Sequence, residues 1–140
     1  MTGPDPLPDP LMASIRIAAP PDVVFPYLID ATLLARWFGD ASGSTPEPGG
    51  AFALAFNDST SVQGQFVTID PPKRVVFTWG VPDNDVLPPG STTVEIVLTP
   101  DGPDTVVDLT HHDLPHSELP SHQAGWTGLL NKLERVAGDD

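Results

Sequence analysis

A chain of 140 residues is long enough to bury roughly two-thirds of its unfolded surface and still leave room for a modest cavity. Nineteen acidic residues against six basic ones give a formal charge of −13, scattered from Asp5 to Asp140, which opposes phosphate backbones and anionic lipid as partners and leaves a basic protein patch open. With no cysteine, the chain has no disulfide, thiolate metal site or thiol chemistry.

Residues 1–10 hold four prolines and two aspartates, so a disordered or extended arm is expected there, ahead of one domain over 11–140. The arm has neither a basic n-region nor an apolar h-region, so no signal peptide is expected. No stretch of about 18 apolar residues occurs, so no membrane insertion is expected, and a cytoplasmic protein is the default. Leu11, Ala13, Ile15 and Ile17 alternate with polar or small neighbours and predict a strand that Pro20 and Pro21 end. Asp22 can open a short helix carrying Val23, Val24, Tyr27 and Leu28. Pro26 is tolerable near its first turn and kinks it otherwise. Asp30 is placed to cap a second short helix, residues 31–38, closed by Gly39.

Alternating apolar residues then predict strands around Phe52–Phe56, Val62–Ile69, Val75–Trp79, Val94–Leu98 and Val107–His111. Turns are expected at 57–59, 70–73 and 100–103, and a long polar loop over 80–90. Residues 121–138 predict the longest helix. Trp126, Leu129, Leu130, Leu133, Val136 and Ala137 recur at helical spacing, with Ser121 as N-cap and Gly138 as stop. Strands joined by short turns with helices outside the run imply an α+β fold. The expected architecture is a curved antiparallel sheet gripping the C-terminal helix, with a pocket between them and two short helices after the first strand.

Six segments in this order, IRIAAPPDVVFPYLIDATLLARWFG (15–39), GGAFALAF (49–56), GQFVTIDPPKRVVFTWG (64–80), PPGSTTVEIVLTPDG (88–102), VDLTHHDLP (107–115) and HQAGWTGLLNKLE (122–134), resemble the START-like superfamily, or SRPBCC helix-grip fold. More narrowly, they are similar to the family of homologues of the activator of the heat-shock-protein-90 ATPase. The resemblance implies the topology just derived and an apolar ligand held between sheet and helix. Two departures stand out: Pro26 inside the first helix, and Asp113 where a glycine or small residue is common.

Ligand pockets are apolar with a few placed polar groups. The expected ligand contacts are Trp37, Phe38, Phe56, Phe66, Phe77, Trp79, His111, His122, Trp126 and Leu130. Trp37 and Trp126 lead among the rings, because an indole N–H seeks a partner at an apolar–polar boundary. His111 continues the inward set of Val107 and Leu109 and should face the helix. His122 stands at the helix start near the same end, and both are weak candidates for a general base. Adjacent His111 and His112 point to opposite faces, so no metal is expected, and no cofactor fingerprint occurs. Glu95 and Asp108 fall on outward positions. Gly125 and Gly128 each cost the helix about 1 kcal/mol, offset either by close approach to the sheet or by room for a ligand.

The leading expectation is therefore a binder of a small apolar or amphipathic molecule. The alternatives are a cyclase- or hydratase-like enzyme with a pocket histidine as base, and a protein-interaction or chaperone-cofactor-like module. Partners left open are a homodimer or a basic protein.

Overall fold

The computed structural model describes residues 10–56 and 60–138. The first nine residues of the arm expected over 1–10, and the turn at 57–59, lie outside them. Six strands form one antiparallel sheet: β1 (Leu11–Ile17), β2 (Ala51–Ala55), β3 (Ser61–Asp70), β4 (Arg74–Trp79), β5 (Thr92–Asp101) and β6 (Asp104–His112), in the order β1-β6-β5-β4-β3-β2. Two short helices follow β1, α1 (Pro21–Val24) and α2 (Ala31–Leu34), and the long helix α3 (Leu119–Gly138) ends the described chain. Its 20 residues make a rod of about 30 Å.

Period-two alternation decides which face of the sheet is buried. Val75, Phe77 and Trp79 of β4, Val94, Ile96 and Leu98 of β5, and Val107, Leu109 and His111 of β6 all point into the core. The pairings Phe77↔Val94 and Val94↔His111 carry one inward row across three strands. On the outer face Glu95 bridges Arg74 at 2.6 Å and lies 3.6 Å from His112, and Asp108 is exposed. Such surface pairs contribute little stability.

On β3 the strand alternation shifts phase. The strand carries a bulge between Phe66 and Thr68, which leaves Val67 as the extra residue, half exposed. Beyond it the phase inverts, so Ile69 rather than Thr68 continues the face of Phe66 and packs against the core. The β2 edge of the sheet is occupied. Ser44 Oγ donates to the Ala53 carbonyl and accepts from the Ala53 N–H along the free side of β2, each at 2.9 Å. Covering an edge this way removes a template for unwanted strand pairing. β1, at the other edge, packs against α3.

The helices depart from expectation where proline and local capping decide. α1 begins at Pro21 and lasts one turn. The chain then tightens into a 3₁₀ turn over Phe25–Leu28, whose opening positions hold Pro26. A proline in a first turn forfeits no hydrogen bond, because that N–H has no acceptor there. Asp30 caps α2, its Oδ1 accepting from the N–H groups of Thr32 at 2.9 Å and Leu33 at 3.3 Å. The α-helix stops at Leu34 and loose turns carry the chain on to Phe38. α3 starts two residues before the expected Ser121 cap, after a 3₁₀ turn at His116–Glu118. Ser121 is not a cap: its hydroxyl donates to the Glu118 carbonyl at 3.2 Å. Asp113 takes a left-handed conformation, φ 68°, at the turn leaving β6. Aspartate is among the few residues that tolerate it.

Along α3 the buried positions are Trp126, Leu130, Leu133 and Ala137, one stripe at helical spacing. Expected close packing at Gly125 and Gly128 is not what the structure shows. A methyl group added at either would meet no atom within 4 Å.

Candidate functional site

Between α3 and the far half of the sheet the space is filled by aromatic rings. Phe38 joins several of them: its centroid lies 4.7 Å from Trp37, 5.5 Å from Trp126, 5.9 Å from Phe56 and 6.0 Å from Trp79. On the sheet, Phe52 stacks on Phe77 at 4.1 Å and meets Phe66 edge-on at 5.5 Å. Offset and edge-to-face geometries of this kind add to the stability gained from burial.

The rings do not fill the wedge completely. At its mouth, beside the first turns of α3, a cavity of about 260 Å³ is lined by Phe56, Trp79, Ser121, His122, Gly125, Trp126 and Leu129. Phe56 keeps 37% of its surface exposed, whereas Trp126 keeps 2%. Of the ten expected contacts, Phe56, Trp79, His122 and Trp126 come together around this space. Trp37, Phe38, Phe66, Phe77, His111 and Leu130 lie behind it in the packed core or to the side. Trp37 satisfies its indole inside the protein, donating to the Tyr27 carbonyl at 2.9 Å. Ser121, Gly125 and Leu129 were not among the expected contacts. Gly125 had already stood out as a glycine inside a helix, and Leu129 belonged to the apolar stripe.

His111 packs behind the cavity wall, against Trp79, His122 and Trp126, and is fully buried. Its Nδ1 is 3.1 Å from Trp126 Nε1, and its Nε2 is 2.9 Å from Thr92 Oγ1. An indole nitrogen can only donate, so Nδ1 is the acceptor and the imidazole proton sits on Nε2. Thr92 spends its own hydrogen on the Trp79 carbonyl at 2.9 Å and receives the Nε2–H. The chain Trp126–His111–Thr92–Trp79 is therefore polarised in one direction and complete. It ties α3 to three strands.

Burial drives the His111 imidazole down to about 3, and repulsion from His122 and His112 adds to the shift. With one nitrogen accepting and the other donating inside the core, His111 has no free lone pair for a proton. In this arrangement His111 holds Trp126 in place.

His122 differs. Its Nδ1 lies 3.0 Å from the Glu118 carbonyl, which can only accept, so the Nδ1 carries a hydrogen. Its ring stands edge-on to His111 at 5.5 Å and to Trp79 at 6.2 Å. The Trp79 Nε1 is the buried side-chain nitrogen without a partner among the described residues. No cluster of three or more potential metal ligands occurs among them. The depression at the other end of α3 is a charged one, with Arg16, Asp104, Glu134 and Arg135 in its wall.

A six-stranded antiparallel sheet around a long C-terminal helix, with short helices after the first strand, defines a helix-grip protein of the START-like class. The chain belongs to the family described as Activator of Hsp90 ATPase homolog 1-like protein, whose model matches residues 18–138. An AHSA1-like protein from Rhizobium etli is 33% identical, with 96% of this chain and 86% of that one covered and a TM-score of 0.70. DynU16, a putative protein in the dynemicin biosynthetic locus, is 24% identical with a TM-score of 0.79; the match covers 94% of this chain and 47% of that one. The chain thus spans about half of DynU16's length. The Aha1 dimer from Colwellia psychrerythraea shares 18% identity and a TM-score of 0.78, with 94% and 98% covered. Comparison with the curated proteins returns no match. No helix among the described residues is long and apolar enough to cross a membrane.

Proposed function

We propose that this protein binds a small, flat, largely apolar molecule in the cavity between Phe56 and the first turns of α3. The observation that carries this reading is the cavity itself: an opening of about 260 Å³ walled by Phe56, Trp79, Trp126 and Leu129 at the mouth of an otherwise packed core. Organic ligand sites commonly run from about 300 Å³ upward, so this one suits a one- or two-ring molecule better than a steroid or a long acyl chain. The membership of a helix-grip family supports the position of the site, between sheet and terminal helix.

Two features favour binding in a formed pocket. Trp126 is held by His111, so the wall is preorganised and little ordering is lost on binding. Gly125 borders the cavity, with open space where a side chain would stand. The helix carries a glycine there at a cost of about 1 kcal/mol, and an unobstructed mouth accounts for it.

The reading is tested by titrating naphthalene and related two-ring probes into the wild type and the Gly125→Leu variant by calorimetry. A leucine at 125 meets no protein atom at its Cβ and should fold normally while occupying the mouth. Binding in the wild type that drops at least tenfold in the variant is expected. Equal affinity in both, or no binding of any such probe, overturns the proposal.

A further inference from the structure

We infer that the ligand of this cavity is a neutral molecule that presents a hydrogen-bond donor, such as a phenolic hydroxyl, to His122 Nε2; the inference rests on the pocket reading above. Two polar side chains line the cavity with polar atoms in reach, Ser121 and His122. Both have already committed a hydrogen to the same acceptor. The Ser121 hydroxyl donates to the Glu118 carbonyl at 3.2 Å, and His122 Nδ1–H donates to it at 3.0 Å. What each has left to offer is a lone pair, on Ser121 Oγ and on His122 Nε2 of the neutral ring.

The lone pair of His122 Nε2 receives no hydrogen bond from the described residues, and Nε2 is not among their buried unpaired atoms. It is therefore open to an incoming group. The buried side-chain donor without a partner among the described residues, Trp79 Nε1, lies beyond contact with solvent and offers nothing at the cavity surface. The rim is thus an acceptor rim. A carbonyl, ether or nitro group would face lone pairs with no hydrogen between them, and a ligand O–H or N–H would be matched.

Charge selects in the same direction. Among the described residues, no lysine or arginine lines the cavity. The Glu118 carboxylate lies 3.8 Å from His122 Nδ1, and the chain carries −13 overall. A carboxylate or phosphate ligand would meet lone pairs and negative charge and leave its own charge uncompensated beside apolar rings. The cavity therefore favours neutral phenol-like molecules over fatty acids and phosphorylated compounds.

Three probes with one ring system separate the possibilities: 2-naphthol, 2-methoxynaphthalene and 2-naphthoate, titrated calorimetrically into the wild type and His122→Phe at neutral pH. One hydrogen bond corresponds to up to about tenfold in affinity. We expect 2-naphthol to bind up to about tenfold tighter than the ether and 2-naphthoate to bind weakest. In His122→Phe, which keeps an aromatic ring against Trp79, the preference for naphthol over the ether should disappear. Naphthol and ether binding equally to the wild type overturns the donor inference and leaves the pocket reading standing. Naphthoate binding tightest also overturns it, in favour of an anion site. Failure of all three probes to bind overturns the pocket reading and this inference together.

Discussion

The indole N–H of Trp126 ends on Nδ1 of His111, 3.1 Å away, in a core where neither ring meets solvent to any extent. One residue comes from the terminal helix and the other from the last strand, so this bond joins the two parts of the grip. It works only while His111 is neutral, because a protonated Nδ1 would set two donors against each other.

Acid should therefore loosen the fold through His111. Its folded value is about 3 against an ordinary 6.5, so the unfolded chain binds the extra proton more readily than the folded one. The stability that His111 contributes is complete above about pH 6.5 and is lost progressively as the pH falls towards 3. Between pH 6.5 and 4.5 the loss should be roughly 2 kcal/mol, read as a fall in urea midpoint. Glu95, held low by the Arg74 guanidinium, adds its own loss only below about 4.5, so the upper window isolates the histidine. His111→Gln should start less stable at pH 7.5 and show a flatter profile from 6.5 to 4.5. A variant profile as steep as the wild type would assign the acid sensitivity elsewhere.

Trp37 and Trp126 should part company under the same substitution. Trp37→Phe removes the indole hydrogen bond to the Tyr27 carbonyl and should cost about 0.5–1.5 kcal/mol, with probe affinity unchanged because Trp37 stands behind the cavity. Trp126→Phe breaks the bond to His111 and reshapes the cavity wall, so stability and affinity should fall together. Denaturant midpoints paired with calorimetric titration of each variant distinguish the two.

Glycines divide in the same manner. Gly128→Ala places a methyl group in open space on a helix and should stabilise by about 0.5–1 kcal/mol. Gly80→Ala would drive its methyl to 2.0 Å from the Pro88 carbonyl oxygen, and Gly64→Ala to 2.0 Å from that of Thr78. Backbone must move in both, and each should cost upwards of about 2 kcal/mol. Thermal melts of the three variants check the sign directly.

Much of this architecture was legible in the residues themselves, because local rules decide it. Alternation at period two assigned Val94, Ile96 and Leu98 inward and Glu95 outward without knowledge of any partner strand. A carboxylate one residue ahead of a helix identified the Asp30 cap. The stripe of Trp126, Leu130, Leu133 and Ala137 marked the buried side of α3. The helix ends expected at Ser121 and Phe38 fall instead at Leu119 and Leu34, because neighbouring 3₁₀ and turn geometry, not composition, sets where a helix ends.

The site was legible only in part. The ten expected contacts are nine aromatic or imidazole rings and Leu130, and the sequence alone does not sort core from cavity wall among them. That sorting depends on distances between residues far apart in the chain: Phe38 against Phe56, Trp79 against Trp126, His111 against Thr92. The bulge at Val67 and the clearances at Gly64, Gly80 and Gly125 likewise arise from neighbours in space. Which lone pairs remain free at the cavity rim followed from which hydrogens the Glu118 carbonyl had already taken. Periodicity along one strand or helix fixes a side chain's direction, whereas a hydrogen bond across elements needs the three-dimensional arrangement of both, and that is where the chemistry of this protein was decided.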